Sequence, residues 1–215
     1  MITRIADTLK RDLAEVAREA SHVLATGGIV AMPTDTVYGL AARADSDAAV
    51  HKLFGVKGRR EDNPLPILLP DAESLKRAAA RVPAAAQVLA DKYWPGPLTI
   101  VLPKVPEISD LVTAGRPTVG LRVPDHPIAR AVLAACDFLV VVTSANPSAG
   151  RAAREHQEVR RDFSGKIELI LAADRCPGGV PSTVVDMSGD EPRMVRGGAV
   201  PWSHVQAVLK QLEKG

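Results

Sequence analysis

Polar side chains recur along this sequence wherever a short apolar run ends. Thr34, Asp35 and Thr36 follow Ile29-Val30-Ala31-Met32 and Pro33. Lys57-Gly58-Arg59 leads to Asn63-Pro64, and Thr118 and Arg122 flank one another across Val119-Gly120-Leu121. Ser144 and Asn146 follow Phe138-Leu139-Val140-Val141-Val142, Ser182 opens a late run, and Arg196 precedes a glycine pair. Singly, each has a plain structural reading as a capped turn, a solvated loop or a surface charge. Together they share a chemistry of fixed cations, hydroxyls and amides with few carboxylates. Arginine forks and lysine point charges hold phosphates and carboxylates. Adenylyl or phosphoryl transfer needs little beyond such positioning and charge stabilisation.

Other chemistries lack their residues. Neither G-x-G-x-x-G nor G-x-x-x-x-G-K-[ST] occurs, so the two common nucleotide cradles are absent from the sequence. The histidines at 22, 51, 126, 156 and 204 show no metal-ligand spacing, and no protein-built metal site is expected. Ser144 lies in Thr143-Ser144-Ala145-Asn146, which is not a nucleophile elbow. Cys136 and Cys176 stand in separate segments and read as ordinary thiols of a reducing compartment.

These donors must be positioned by alternating helices and strands, which indicates an α/β fold. Leu9, Leu13, Val16, Ala17, Ala20, Val23 and Leu24 share a helical face, predicting a helix from Thr8 to Thr26 with Thr8 as its cap and Gly27 as its stop. The strand 29–32 should end at Pro33, which cannot donate to a ladder. A short helix is expected from Ser46 or Asp47 to Phe54, and helices over 71–80, 83–92, 128–136, 153–162 and 202–212. Strands are expected over 98–102, 119–123, 138–142 and 166–172, and as a late pair over 182–187 and 193–195. The run 65–69 reads as a strand near a sheet edge, because Pro66 interrupts it. Adjacent late strands favour a twisted, open, mixed β-sheet with flanking helices over a purely parallel one. No repeat or linker divides the chain, so 1–215 is expected to be a single domain.

The bulk numbers are compatible with this. The 215 residues are 46% hydrophobic but only 3% aromatic, so the core must be built from Ala, Val, Leu and Ile. A formal charge of +2, from 27 basic and 25 acidic residues, does not announce a nucleic-acid binder. Few aromatics also argue against a base-stacking platform. The first 25 residues mix acids and bases without an apolar leader, and no run is long enough to span a bilayer. A cytoplasmic protein is the expectation.

In order along the chain come P-T-D-T-V-Y-G-L, K-G-R with R-x-x-x-N-P, W-P-G-P-L-T, T-V-x-x-R-x-P, S-A-N, S-T-V-V-D and a late Arg-Gly. Over about residues 27–198 the sequence resembles the YrdC-type threonylcarbamoyl-AMP synthases, in the short form without a C-terminal extension domain. The resemblance implies an open α/β sheet around a positively charged central cavity. It implies an enzyme that joins L-threonine, bicarbonate and ATP, with Mg²⁺, into threonylcarbamoyl-AMP and pyrophosphate. That product feeds N6-threonylcarbamoyladenosine modification of tRNA through downstream threonylcarbamoyl-transfer proteins, with at most a weak or transient tRNA contact here. The family signature falls on Lys57, Arg59, Ser144 and Asn146. ATP contacts fall on Arg59, Asn63, Thr118, Ser144 and Arg196, and threonine contacts on Thr36, Arg122, Val142 and Ser182. Leu68 stands where some longer members carry a histidine, and Pro147-Ser148-Ala149-Gly150 departs from the usual sequence after S-x-N. The family also includes proteins thought to bind RNA without making the adenylate, and a carbamoyl-transfer module of hydrogenase maturation. The intact Lys57, Arg59, Ser144 and Asn146 set favours synthesis.

Overall fold

The computed structural model describes residues 1–147 and 150–212. Ser148 and Ala149, half of the departing loop, lie outside the described residues. Ten strands form one mixed sheet: β1 (Arg4–Asp7), β2 (Val30–Met32), β3 (Gly39–Arg43), β4 (Ile67–Leu68), β5 (Leu98–Pro103), β6 (Thr118–Arg122), β7 (Val140–Ser144), β8 (Leu169–Ala172), β9 (Thr183–Asp186) and β10 (Arg193–Arg196). Their order is β1-β8-β2-β3-β7-β4-β6-β5-β9-β10, with parallel and antiparallel neighbours. The helices are α1 (Leu13–Ala25), α2 (Asp47–Lys57), α3 (Ala84–Tyr93), α4 (Asp110–Thr113), α5 (Pro127–Ala134), α6 (His156–Phe163) and α7 (Trp202–Leu212). The expected α/β class and mixed sheet are therefore found.

One face of the sheet packs on α2, α3, α6 and α7. Leu53, Phe54, Leu89, Phe163 and Val205 meet Leu40, Ile67, Ile100, Leu121 and Ile170 there, all buried. The opposite face is covered only in part. Val16, Ala20 and Leu24 of α1, with Ile128, Val132 and Leu133 of α5, pack on Val30, Met32, Ala41, Val140 and Leu169. Side chains alternate faces along a strand. On this second face β6 therefore shows Thr118, Gly120 and Arg122, β5 shows Thr99 and Val101, and β9 shows Val184 and Asp186. All of these line a cavity instead of packing on a helix. The site is the part of one sheet face that α1 and α5 leave uncovered.

Several elements differ from expectation for physical reasons. The first helix begins at Leu13, capped by Asp12, whose carboxylate accepts from Glu15 N at 3.0 Å. Thr8 instead continues β1, with its N–H and hydroxyl both on Ala172 O. β4 is central, between β7 and β6, and not near an edge. Pro66 precedes its laddered residues, and its carbonyl accepts from Val142 N at 3.0 Å, so no donor is missed. Residues 71–80 form only a 3₁₀ turn at Glu73–Arg77. α6 starts at His156 because the backbone of Ala153 is tied to other segments, donating to Ala145 O and accepting from Tyr38 N. β1, β3 and α4 have no counterpart in the expectations. β3 is one glycine, one leucine, two alanines and an arginine, a composition weak in strand propensity that its central position overrides.

Candidate functional site

A cavity of about 650 Å³ opens on the uncovered sheet face, within the usual range for small-molecule sites. Every residue that the resemblance assigns to the site lines it except Lys57, and Asp35 of the opening stretch also stands outside the lining. Arg59, Arg116, Arg122 and Arg196 face it, and Asp186 is the one carboxylate among the described lining residues. Arg122 and Thr118, four residues apart on β6, stand about 13 Å apart along the strand. The cavity thus has two ends.

The first end is built by the turn after β2. Thr34 Oγ1 donates to Val37 O at 2.6 Å and accepts from Thr36 N and Val37 N, so it closes the turn. Thr34 Oγ1 and Thr36 Oγ1 lie 3.0 Å apart, and either hydroxyl can donate in that contact. Thr36 Oγ1 also accepts from Arg122 Nη1 at 3.2 Å. Arg122 is almost wholly buried, and it donates through Nε to Gly96 O at 2.9 Å and through Nη2 to Asp35 Oδ1 at 2.5 Å. Burial presses on this guanidinium and pushes its pKa down, while Asp35 opposes that. Ser182 Oγ lies 2.8 Å from Thr99 Oγ1 and accepts from Arg196 Nη2 at 3.3 Å. Val142 and Leu68 supply apolar wall.

Two residues of the opening motif act as anchors. Tyr38 is fully buried, donates its hydroxyl to Leu171 O at 3.1 Å and accepts from Ala173 N. A Cβ at Gly39 would stand 2.5 Å from Val142 Cγ1, so only glycine lets β3 approach β7 there. A second strap comes from the long connection between β8 and β9. Gly178 N donates to Asp35 O and Gly179 N to Thr36 O, while the Arg154 guanidinium donates to the carbonyls of Cys176 and Pro177.

The second end holds Arg59, Asn63 and Thr118. Arg59 is half-buried and donates to the carbonyls of Asn63 and Pro64. Burial first, then the positive charge of Arg196, pushes its pKa down, although a guanidinium stays charged in proteins. Between the ends stand Ser144 and Asn146. Lys57 lies behind them, buried, with its Nζ on Ser144 O (2.5 Å), Ser144 Oγ (3.1 Å) and Asn146 Oδ1 (3.1 Å). Ser144 Oγ donates to Asn146 Oδ1 at 2.6 Å, and Asn146 Nδ2 donates to Pro147 O and Gly150 O. The Asn146 amide is therefore fully engaged, and it shapes the turn after β7. Burial, helped by Arg59, pulls the Lys57 pKa down to about 8.

Sequence reasoning did not assign Asp35, Thr99, Arg116, Arg154 or Asp186 to the site. Thr99 and Asp186 were findable, since each sits two or four residues from another lining residue on its strand. The Asp35–Arg122 pair, 87 residues apart, had no signal. Among the described residues no cluster of His, Cys, Asp and Glu could hold a metal ion, and no helix is long and apolar enough to cross a membrane.

Ser182 is held from behind by Gly198. A Cβ there would fall 2.4 Å from Pro181 O and 2.5 Å from Thr183 N, both backbone atoms. Gly198→Ala should overpack this corner at a cost of about 2 kcal/mol. A melting temperature lower by roughly 4–8 °C is expected for a chain of this size, and an unchanged melt would contradict the tight packing.

A family model for Sua5, YciO and YrdC proteins, described as "Telomere recombination", matches residues 22–198. The chain is 38% identical over 195 residues to the threonylcarbamoyl-AMP synthase of Pyrococcus abyssi, covering 91% of this chain and 57% of that relative. It is 40% identical over 154 residues to the threonylcarbamoyl-AMP synthase of Halorhodospira halophila, covering 72% of this chain and 81% of the relative. It also superposes on the crystal structure of P. abyssi Sua5 complexed with L-threonine, with a TM-score of 0.91 and 36% identity, over 97% of this chain and 61% of that one. The chain therefore spans a little over half the length of the P. abyssi relative. By the extent of the family match and the identity to these relatives, the chain belongs to the Sua5/YciO/YrdC family.

Proposed function

We propose that the cavity condenses L-threonine, bicarbonate and ATP into threonylcarbamoyl-AMP, releasing pyrophosphate, for the N6-threonylcarbamoyladenosine modification of tRNA. One observation carries this reading. The cavity has a buried arginine fork flanked by two hydroxyls at one end, and it lies in a fold that superposes on a relative complexed with L-threonine. Arg122 would take the threonine carboxylate. Thr36 would offer its hydroxyl to the amino or hydroxyl group, and Ser182, close by Thr99, a second hydroxyl. Val142 and Leu68 would meet the methyl group.

Arg59, Asn63, Thr118, Ser144 and Arg196 would hold ATP, with its phosphates against the arginines. The donor set, arginines and hydroxyls with one carboxylate, fits Mg²⁺ carried in on the triphosphate's own oxygens. When bound, the ion would share the neutralisation of phosphate charge.

The chemistry then needs two bond-forming steps. The neutral threonine amine attacks the bicarbonate carbon, and water leaves as the carbamate forms. A carbamate oxygen attacks the α-phosphorus, and pyrophosphate departs. Cations beside an ammonium group lower its pKa, so Arg122 and Arg196 favour the neutral amine that the first step requires. Negative charge grows on the departing pyrophosphate in the second step, and preorganised guanidinium donors stabilise it there. Lys57 would act by holding Ser144 and Asn146 in place. The product would pass to proteins that transfer the threonylcarbamoyl group to tRNA.

The test is pyrophosphate release by the purified chain with ATP, Mg²⁺, bicarbonate and threonine, each omitted in turn. Release that needs all of them is expected. Release indifferent to threonine or bicarbonate would overturn the reading.

A further inference from the structure

Arg122 is an unusual residue to find ready for a ligand, because it is buried before any ligand arrives. A buried charge must be paired and hydrogen-bonded to persist. Its guanidinium is fixed on three sides: Nε on Gly96 O at 2.9 Å, Nη1 on Thr36 Oγ1 at 3.2 Å and Nη2 on Asp35 Oδ1 at 2.5 Å. Of the five N–H donors of an arginine, this leaves one on each terminal nitrogen. Arg122 faces the cavity, whereas Asp35 is not among the residues that line it.

Asp35 is itself fixed. Its Oδ1 accepts a second hydrogen bond from Asp125 N at 3.2 Å, its carbonyl accepts from Gly178 N, and its side chain is nearly buried. A Cβ at Gly178 would stand 2.7 Å from Asp35 O, so the strap from β8 to β9 closes tightly over this residue. His126, the neighbouring ring, is held below its usual pKa by burial. Arg122 is accordingly the cation that Asp35 pairs with among the described residues.

We propose that Asp35 is a positioning residue for the amino-acid end of the cavity. It aims Arg122 by hydrogen bonding from behind, so that the two remaining N–H groups point at an incoming carboxylate. Its negative charge is not what favours the ligand, because a fixed carboxylate beside Arg122 repels a second one. The gain comes from orientation, since a guanidinium locked before binding loses little freedom when the ligand docks. The inference rests on the proposed threonine site, and it separates two substitutions that ordinarily act alike. Asp35→Asn keeps an acceptor oxygen at the same place and removes the charge. Asp35→Ala removes both.

The experiment is calorimetric binding of L-threonine, of the amino alcohol threoninol and of ATP to wild type, Asp35→Ala, Asp35→Asn, Arg122→Ala and the Asp35→Ala/Arg122→Ala double variant. Thermal melts confirm that each is folded. Asp35→Ala should weaken threonine at least about tenfold and reduce its preference over threoninol, as Arg122→Ala does, with ATP changed less than about twofold. These fold-changes are sized on loss of a charge-assisted contact. Asp35→Asn should bind threonine within about threefold of wild type. In the Arg122→Ala background, Asp35→Ala should add almost nothing, because both changes remove the same fork. If Asp35→Ala does not fold, Asp35→Glu replaces it: this keeps the charge but moves the carboxylate by one methylene, and the same threonine-specific loss is expected. The proposal is overturned if Asp35→Asn loses as much as Asp35→Ala, if threonine and ATP weaken alike, or if the effects in the cycle add. If Arg122→Ala itself leaves threonine binding unchanged, the threonine site fails, and the role of Asp35 goes with it.

Discussion

Arg59→Ala should lower adenylate formation by at least about 10²–10³-fold, the range for losing one preorganised donor to developing charge. It should leave the melting temperature within a few degrees of wild type. The two halves of this expectation have separate causes. Arg59 forms no ion pair among the described residues, and its hydrogen bonds go to backbone carbonyls that water can satisfy instead. Its removal strands no buried charge, so the stability cost is that of a half-exposed side chain. Arg59 and Arg196 also repel one another, a repulsion that an anion bound between them would relieve. The chemical loss follows because Arg196 and Mg²⁺ would be left to neutralise the reacting phosphates without the Arg59 fork. Arg59→Lys should recover only part of the activity, since it restores the charge but not the fork. Near-normal turnover in Arg59→Ala would show that this residue does not face the phosphates.

Lys57→Met should be nearly as damaging to turnover, at about 10²-fold, but through structure. It should also cost about 1.5–3 kcal/mol of stability, the scale for losing hydrogen bonds from a charged donor. Ser144 O, Ser144 Oγ and Asn146 Oδ1 each lose the charged donor, although Ser144 O keeps Asn146 N and Asn146 Oδ1 keeps the Ser144 hydroxyl. Ser144 lines the cavity and Asn146 fixes the turn beyond it, so the nucleotide end loosens. The residue also gives a pH dependence. Burial lowers the Lys57 pKa from its ordinary 10.5 to about 8 in the folded protein. Between those values the unfolded chain holds the proton and the folded chain has released it, so linkage makes stability rise with pH over the window. Activity runs the other way. The protonated ammonium that tethers Ser144 and Asn146 is present below about pH 8 and lost above it. The kcat/KM for ATP, which reports the free enzyme, should therefore fall through about pH 8 in wild type and be flat there in Lys57→Met. A wild-type profile flat to pH 9.5 would contradict a tethering role for the charged form.

Local chemistry made much of this molecule legible. The strand ended at Pro33, α7 fell over Trp202–Leu212 as its periodicity required, and the polar groups at strand ends did converge on one cavity. Tyr38 and Gly39 anchor the opening turn, by a buried hydroxyl and a close backbone approach. The misses arose where tertiary contacts overrode local signals. Pro66 suggested an edge, yet its carbonyl serves β7 and the strand it opens is central. Gly39-Leu40-Ala41-Ala42-Arg43 carries little strand propensity and is a strand because β2 and β7 flank it. Lys57 reads in sequence as one more cation for phosphate, and only its burial places it behind Ser144 and Asn146. Asp35 looked like a turn residue, and only the approach of β6 from across the sheet pairs it with Arg122.

The claim that a single cavity joins three substrates can be tested by following two labels into one product. The purified chain is supplied with threonine, Mg²⁺, carbon-labelled bicarbonate and ATP labelled at the α-phosphate, and products are separated chromatographically. Both labels should appear in equal amounts in one species that forms only when threonine is present and decays to labelled AMP. An intact adenylate that carries phosphate label but no carbon label, labelled AMP formed without a doubly labelled precursor, or no doubly labelled species at all would contradict the condensation.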